Sequence, residues 1–262
     1  MVETFYEETP PHPALRPHVR CLWRAVLPPC GADLPPWARV LPDGCTDIVV
    51  DYRLDRSDGD RLSGAPSLQL VGTMTRPVPF EAAATTEVLG LRFEPGGAAA
   101  FFPLPARELT DAMVPLAELW GGESGLLTER LAECGSATQR LRLLEETLLC
   151  RPRRESARAR CAREVARLVV SAAGQLRVEE LAGRSGYSRQ YLARLFDEHV
   201  GVSPKLLARI ERFSGIVVRA RSGLRGGWAA AAAEHGYFDQ AHFIHEFTEF
   251  AGVAPSAYFG RG

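Results

Sequence analysis

Apolar positions along this chain follow two different periods, and the change between them divides it. Up to about residue 120 they fall in short β-prone runs: Val40-Leu41, Ile48-Val49-Val50, Leu68-Gln69-Leu70-Val71 and Val88-Leu89-Gly90-Leu91-Arg92-Phe93. Turn formers separate them, at Pro42-Asp43-Gly44, Ser57-Asp58-Gly59-Asp60, Arg76-Pro77 and Pro95-Gly96-Gly97. Short strands punctuated this way predict a small antiparallel barrel or sandwich. From Leu116 to Cys150 the spacing becomes helical, with Leu127/Leu131 and then Leu141/Leu144/Leu148, broken at Gly135-Ser136. That pattern predicts a helical hairpin packed on the strands. Arg151-Pro152-Arg153-Arg154 then reads as a junction, because proline stops a helix and arginines favour solvent.

Beyond the junction the helical period persists, and the sequence repeats itself. Gly186-Tyr187-Ser188, Leu192, Phe196 and Gly201-Val202-Ser203-Pro204 return as Gly236-Tyr237-Phe238-Asp239, Phe243, Phe247 and Gly252-Val253-Ala254-Pro255. The two glycine-tyrosine pairs are offset by 50 residues and everything after them by 51, so one residue is inserted just past the second Gly-Tyr. Each unit is an apolar-faced helix, a tight turn and a second helix with a polar cap. This is the pattern of a helix-turn-helix, whose second helix lies in the DNA major groove. Ser203-Pro204 starts a helix to about Arg221 that joins the units. At 1.5 Å per residue it spans roughly 27 Å, close to one DNA turn of about 34 Å.

Helical geometry sorts the side chains of each reading helix. Leu192, Leu195 and Phe196 recur at i, i+3 and i+4 and must face the core. Ser188, Arg189, Gln190, Ala193 and Arg194 are then left for DNA, with Asp197 beyond them. Arginine can bond guanine O6 and N7 together, and glutamine adenine N6 and N7. In the second unit Phe243, Phe247 and Phe250 form the buried stripe, leaving Gln240, Ala241, Ile244 and His245 outward. That face has fewer cations and is flanked by Asp239, Glu246 and Glu249, so it is expected to read fewer bases. Asp239 reads as a helix cap. His242 and His245 are i, i+3 but lack a well-spaced third ligand, so no metal is expected.

Charge sharpens this division. Residues 153–262 carry 17 cationic side chains against 11 carboxylates, whereas residues 1–152 carry 14 against 21. A basic region over the repeat is the footprint of phosphate binding. No run of 18 apolar residues occurs, so no membrane span is expected. The acidic, proline-containing start (Glu3, Glu7, Glu8, Pro10, Pro11) is unlike a signal peptide, so the chain is expected to stay in the cytoplasm. The six cysteines, at 21, 30, 45, 134, 150 and 161, form no CxxC pair and read as free thiols.

The repeated motifs, their spacing and the joining helix resemble the AraC/XylS family of bacterial transcription regulators over about residues 155–262. The resemblance implies a tandem helix-turn-helix domain with double-stranded DNA and RNA polymerase as partners. It also implies a variable N-terminal domain, residues 1–150, that senses a small molecule or forms a homodimer. Leu41-Pro42-Asp43-Gly44-Cys45-Thr46-Asp47-Ile48-Val49 with Gly90-Leu91-Arg92-Phe93 and Pro95-Gly96-Gly97 resembles one uncharacterised subtype of such domains. The chain departs from the family at Gly226-Gly227 and Ala229 to Ala233, where only Trp228 supplies bulk.

The expected fold is therefore α+β in two domains, a small barrel or sandwich with flanking helices followed by an all-α reader. Trp23, Trp37, Arg39, Arg92 and Phe93 are candidates to line a ligand pocket, aromatic walls with a few placed charges being the usual composition. The other reading gives the first domain only an assembly role, with DNA binding constitutive. Asp43, Cys45 and Asp47 invite an enzymatic thought, but negative surroundings raise a thiol pKa. Pro-Asp-Gly is also an ordinary turn, and Asp47 can bond its own backbone. No enzyme and no cofactor is expected.

Overall fold

The computed structural model describes residues 5–29, 39–55, 61–79, 84–224 and 227–260. Its strands are β1 (Phe5–Thr9), β2 (Val19–Leu27), β3 (Arg39–Val40), β4 (Asp47–Asp55), β5 (Arg61–Val71), β6 (Val78–Pro79), β7 (Thr86–Phe93) and β8 (Met113–Pro115). Six form one antiparallel sheet in the order β1-β2-β7-β4-β5-β8, and β3 pairs with β6. The sheet is open rather than a closed barrel, with β1 and β8 as its edges.

Strand alternation gives the sheet two unlike faces. Leu22, Ile48, Val50, Leu70, Leu89, Leu91 and Phe93 point one way and are buried. Against them pack α1 (Leu116–Trp120), α2 (Gly122–Glu133) and α3 (Ala137–Cys150) through Leu116, Trp120, Leu127, Leu131, Leu144 and Leu148. Each such side chain gains about 1.5–3 kcal/mol from burial, so a layer of helices satisfies this face without the sheet closing on itself. Cys21, Trp23, Ala25 and Val88 point the other way in a smaller cluster. A single 3-10 turn over Ala98–Ala100 follows β7.

The C-terminal part is helical throughout: α4 (Ala157–Ser171), α5 (Val178–Ser185), α6 (Arg189–His199), α7 (Pro204–Arg221), α8 (Gly227–Glu234), α9 (Gln240–Ala251) and α10 (Pro255–Tyr258). Ser156 caps α4 and Ser203 caps α7, with Pro204 at the first helical position. Two cores share α7. Leu207 and Ala208 close the core of α4, α5 and α6 with Leu181, Leu192 and Phe196. Ile210, Phe213, Ile216 and Val217 close the next, with Phe243, Phe247 and Phe250. The joining helix is thus packed along its length, and the two units are held to one rigid element.

Candidate nucleic-acid interface

Each unit is built by the same local chemistry. α5 ends at Gly186, φ +73°, and α8 is followed by Gly236, φ +76°; both turns use the left-handed backbone that glycine adopts without steric cost. The reading helices start at polar caps. Ser188 Oγ accepts from Tyr191 N at 3.2 Å, and Asp239 Oδ1 accepts from His242 N at 2.7 Å. Ser188, expected to meet DNA, therefore commits its hydroxyl oxygen to the helix, though it stays exposed.

On α6 the apolar stripe of Leu192, Leu195 and Phe196 is fully buried. Arg189, Gln190, Ala193, Arg194 and Asp197 all face solvent. Arg189 Nη1 donates to Glu179 Oε1 of α5 at 2.9 Å, an exposed pair that solvent weakens. Arg194 has no ion-pair partner among the described residues, so its charge is available to DNA. Asp197, at the far end of the face, is met by Arg107 Nη1 of the N-terminal domain at 3.4 Å.

On α9, Gln240, Ala241, Ile244 and His245 are exposed, while Phe243, Phe247 and Phe250 are buried. Glu246 departs from expectation. It does not flank the reading face but is 2% exposed, turned beneath the helix. There Arg209 Nε of α7 donates to its Oε2 at 2.7 Å, and Arg212 Nη2 lies 3.7 Å from Oε1. Arg209 Nη2 also holds Glu249 at 2.5 Å. Two arginines of the joining helix thus neutralise the carboxylates that would repel phosphate. Trp228 compensates for the small residues of α8: its ring stacks on Phe243 at 5.5 Å and meets Phe259 at 5.4 Å.

The ligand candidates are not all brought together. Phe93 lies in the helix-covered core, on the opposite face of the sheet from Trp23. Arg39 leaves its domain, its Nη1 donating to the Ala251 carbonyl at the end of α9 at 3.0 Å. Trp37 is outside the described residues. Trp23 and Arg92 do meet. The indole crosses Gly90 so closely that a Cβ there would collide with the ring, and Trp23 Nε1 donates to Asp47 Oδ1 at 2.6 Å. Arg92 Nε donates to the same oxygen at 3.1 Å, and its Nη2 lies 3.2 Å from Asp43 Oδ2. Burial pushes the Asp47 carboxyl up, against the pull of Arg92. The local backbone bond expected of Asp47 is made by Asp43 instead, which accepts from Cys45 N at 3.0 Å. Burial also raises the Cys45 thiol and pushes Cys21 up to about 12, so neither favours a reactive thiolate. Clefts of about 390 and 350 Å³ lie elsewhere. The first is on α2 and α3 around Arg130, Glu133 and Arg142; the second is between Arg16, Glu94, Arg163 and Arg167 at the domain boundary.

That boundary touches both reading helices at the same end, which no sequence motif announces. Thr73 Oγ1 donates to the Val200 carbonyl at 3.2 Å and Thr110 Oγ1 to the Gly201 carbonyl at 2.6 Å, just past α6. Arg39 does the same for α9. The joining helix is met as well: Ser214 Oγ donates to the Pro42 carbonyl at 3.3 Å, and Arg20 Nη2 lies 3.9 Å from Glu211 Oε1. Single threonines in loops carry no periodic signal, so no sequence pattern could have marked them.

Residues 181–261 match the family model of a helix-turn-helix domain, and residues 7–115 match that of a domain of unknown function. No curated protein matches the chain. Among solved structures, apo ToxT from Vibrio cholerae is 13% identical with a TM-score of 0.47, covering 91% of this chain and 96% of that one. A ToxT from the same organism bound to an unsaturated fatty acid is 14% identical with a TM-score of 0.42, covering 85% and 89%.

Proposed function

We propose that this chain, whose C-terminal part is a tandem helix-turn-helix DNA-binding domain of the AraC type, is a sequence-specific transcription regulator. One observation carries the reading: both second helices are capped, bury their aromatic or leucine stripe on α7, and leave their other face to solvent. Ser188, Arg189, Gln190, Ala193 and Arg194 supply the contacts of the first unit, and Gln240, Ala241, Ile244 and His245 those of the second. The first helix offers the bidentate chemistry that separates guanine and adenine from other bases. Full-length protein should select a defined site from a random DNA library, and its affinity should fall steeply with salt as phosphates release counterions. No enrichment, or an affinity independent of salt, would refute the assignment.

The N-terminal domain is the regulatory part of this reading. It contacts both reading helices and α7, so a change in its shape changes how the units are held. A small molecule acting on the Trp23–Arg92 side of the sheet would compete for Arg92 with Asp43 and Asp47, and that segment abuts α7: a Cβ on Gly44 would stand 2.7 Å from Leu207. Such a ligand regulates only by binding one arrangement better than the other. Melting temperature measured across a metabolite panel should rise for it in the wild type and not in Arg92→Ala. A panel with no hit favours the domain as an assembly surface, and a hit retained by Arg92→Ala refutes Arg92 as part of the ligand site.

A further inference from the structure

The two units differ by one inserted residue, and the structure shows what it does. In the first, Tyr187 stands directly before the cap Ser188, its ring 5.0 Å from Tyr191. In the second, Tyr237 is buried, its ring 5.4 Å from Phe243, and the chain needs one more residue to reach the cap Asp239. That residue is Phe238, 92% exposed, the most exposed large apolar side chain among the described residues. It stands at the N-terminal end of α9, the end that a helix-turn-helix turns toward base edges.

The rest of the face matches it. α9 contains no lysine or arginine, and α7 holds both Glu246 and Glu249 with Arg209. What remains for DNA at this end is Phe238, Ala241 and Ile244, beside Gln240, His242 and His245, with the carboxylate of Asp239 accepting from His242 N as the helix cap. Ile244 is itself 39% exposed. In the major groove the apolar feature that distinguishes a base pair is the thymine 5-methyl group. We infer that the second unit reads thymine methyl groups, with Phe238 as the anchor and Ile244 beside it, while the first unit reads hydrogen-bonding edges. The inference rests on the DNA-binding reading above and adds a base preference and a residue to it.

The test uses the full chain and one site selected from a random library, amplified once with thymidine and once with deoxyuridine triphosphate. Deoxyuridine keeps the base pairing and removes only the methyl. The wild type should bind the deoxyuridine form more weakly, by about fourfold for each thymine methyl that the unit reads. Phe238→Ala should weaken binding to the thymidine form and shrink the difference between the two DNAs, with an unchanged melting temperature because the side chain is 92% exposed. Ile244→Ala should act in the same direction and less. Equal binding of both DNAs by the wild type overturns the inference, as does a Phe238→Ala loss that is the same on both. If Phe238→Ala binds both DNAs normally but lowers transcription, the side chain faces a protein and the inference also falls. Failure of the wild type to bind either DNA overturns the DNA-binding reading itself.

Discussion

The two helix-turn-helix units share a motif and almost nothing of their outer chemistry. α6 faces solvent with two arginines and a glutamine; α9 does so with an isoleucine, a glutamine and histidines, and Phe238 stands exposed just before its cap. Their cores differ as well. The first unit is closed by leucines and one phenylalanine, the second by a cluster in which Phe213, Trp228, Phe243, Phe247, Phe250 and Phe259 pack ring on ring. Aromatic pairing replaces the bulk that α8, with its five consecutive alanines, does not provide. A repeated motif therefore keeps its backbone geometry through glycines and caps, while the packing behind it and the surface before it change independently.

The largest expected effect tests that packing. Phe243→Ala should cost about 3–5 kcal/mol and Leu192→Ala about 2–5 kcal/mol. Because α7 serves both cores, each variant should lower one cooperative transition followed by calorimetry. Two separated transitions would show that the units melt on their own and that α7 does not couple them.

On the outer surface, Arg194→Ala should cost about 1–3 kcal/mol on the selected site and relax preference at one base pair. His245→Ala should cost less, as read by fluorescence anisotropy on matched and substituted DNAs. An equal loss on random DNA would reduce Arg194 to a phosphate contact, and a larger loss at His245 would reverse the ranking of the two helices.

The shared helix also carries a pH signature. Glu211 lies half-buried on α7 with Arg20, Asp43 and Glu94 around it, and its Oε1 accepts no hydrogen bond. Burial raises its pKa to about 7, against an ordinary 4.5. The native state therefore holds a proton that the unfolded chain has released, and its stabilising effect is complete below about 4.5 and lost as pH rises through about 7. Glu211→Gln should flatten that slope and raise Tm at pH 8 by roughly 3–6 °C. A wild type whose stability does not fall between pH 5 and 8, or a variant that leaves the slope intact, would refute this.

The smallest effects concern the grip on each unit. Arg39→Ala should speed amide exchange at the end of α9 and not of α6, and Thr110→Val the reverse, each by about 1 kcal/mol of local opening. Crossed or absent effects would mean that the N-terminal domain does not hold the units separately.

Much of this molecule was legible because its signals are local. The caps Ser188, Ser203 and Asp239, the turns at Gly186 and Gly236, and the buried stripes of α6 and α9 follow from periods and backbone preferences that a few neighbouring residues set. The antiparallel strands were readable for the same reason, since alternation and turn formers act over short range. Closure of the sheet was not. Whether strands curl into a barrel or take a cover of helices depends on which surfaces find each other, and here α1–α3 bury the face that a barrel would have turned inward.

The site divides along the same line. Side chains on the outer faces of α6 and α9 are placed by helix geometry alone, so their exposure could be read from spacing. Glu246 could not, because its inward turn depends on Arg209 and Arg212, which sit 37 and 34 residues earlier on another helix. Arg39 and Phe93 likewise carry no local mark of where they end up: one reaches across 212 residues to Ala251, the other is assigned to the helix side of the sheet by register. Sequence determined the elements, the repeat and the reading faces, since each is a property of a short stretch of chain. Tertiary structure decided which charges are neutralised, which aromatics are core and which loops hold the reader, because those depend on partners that the fold brings together from far apart.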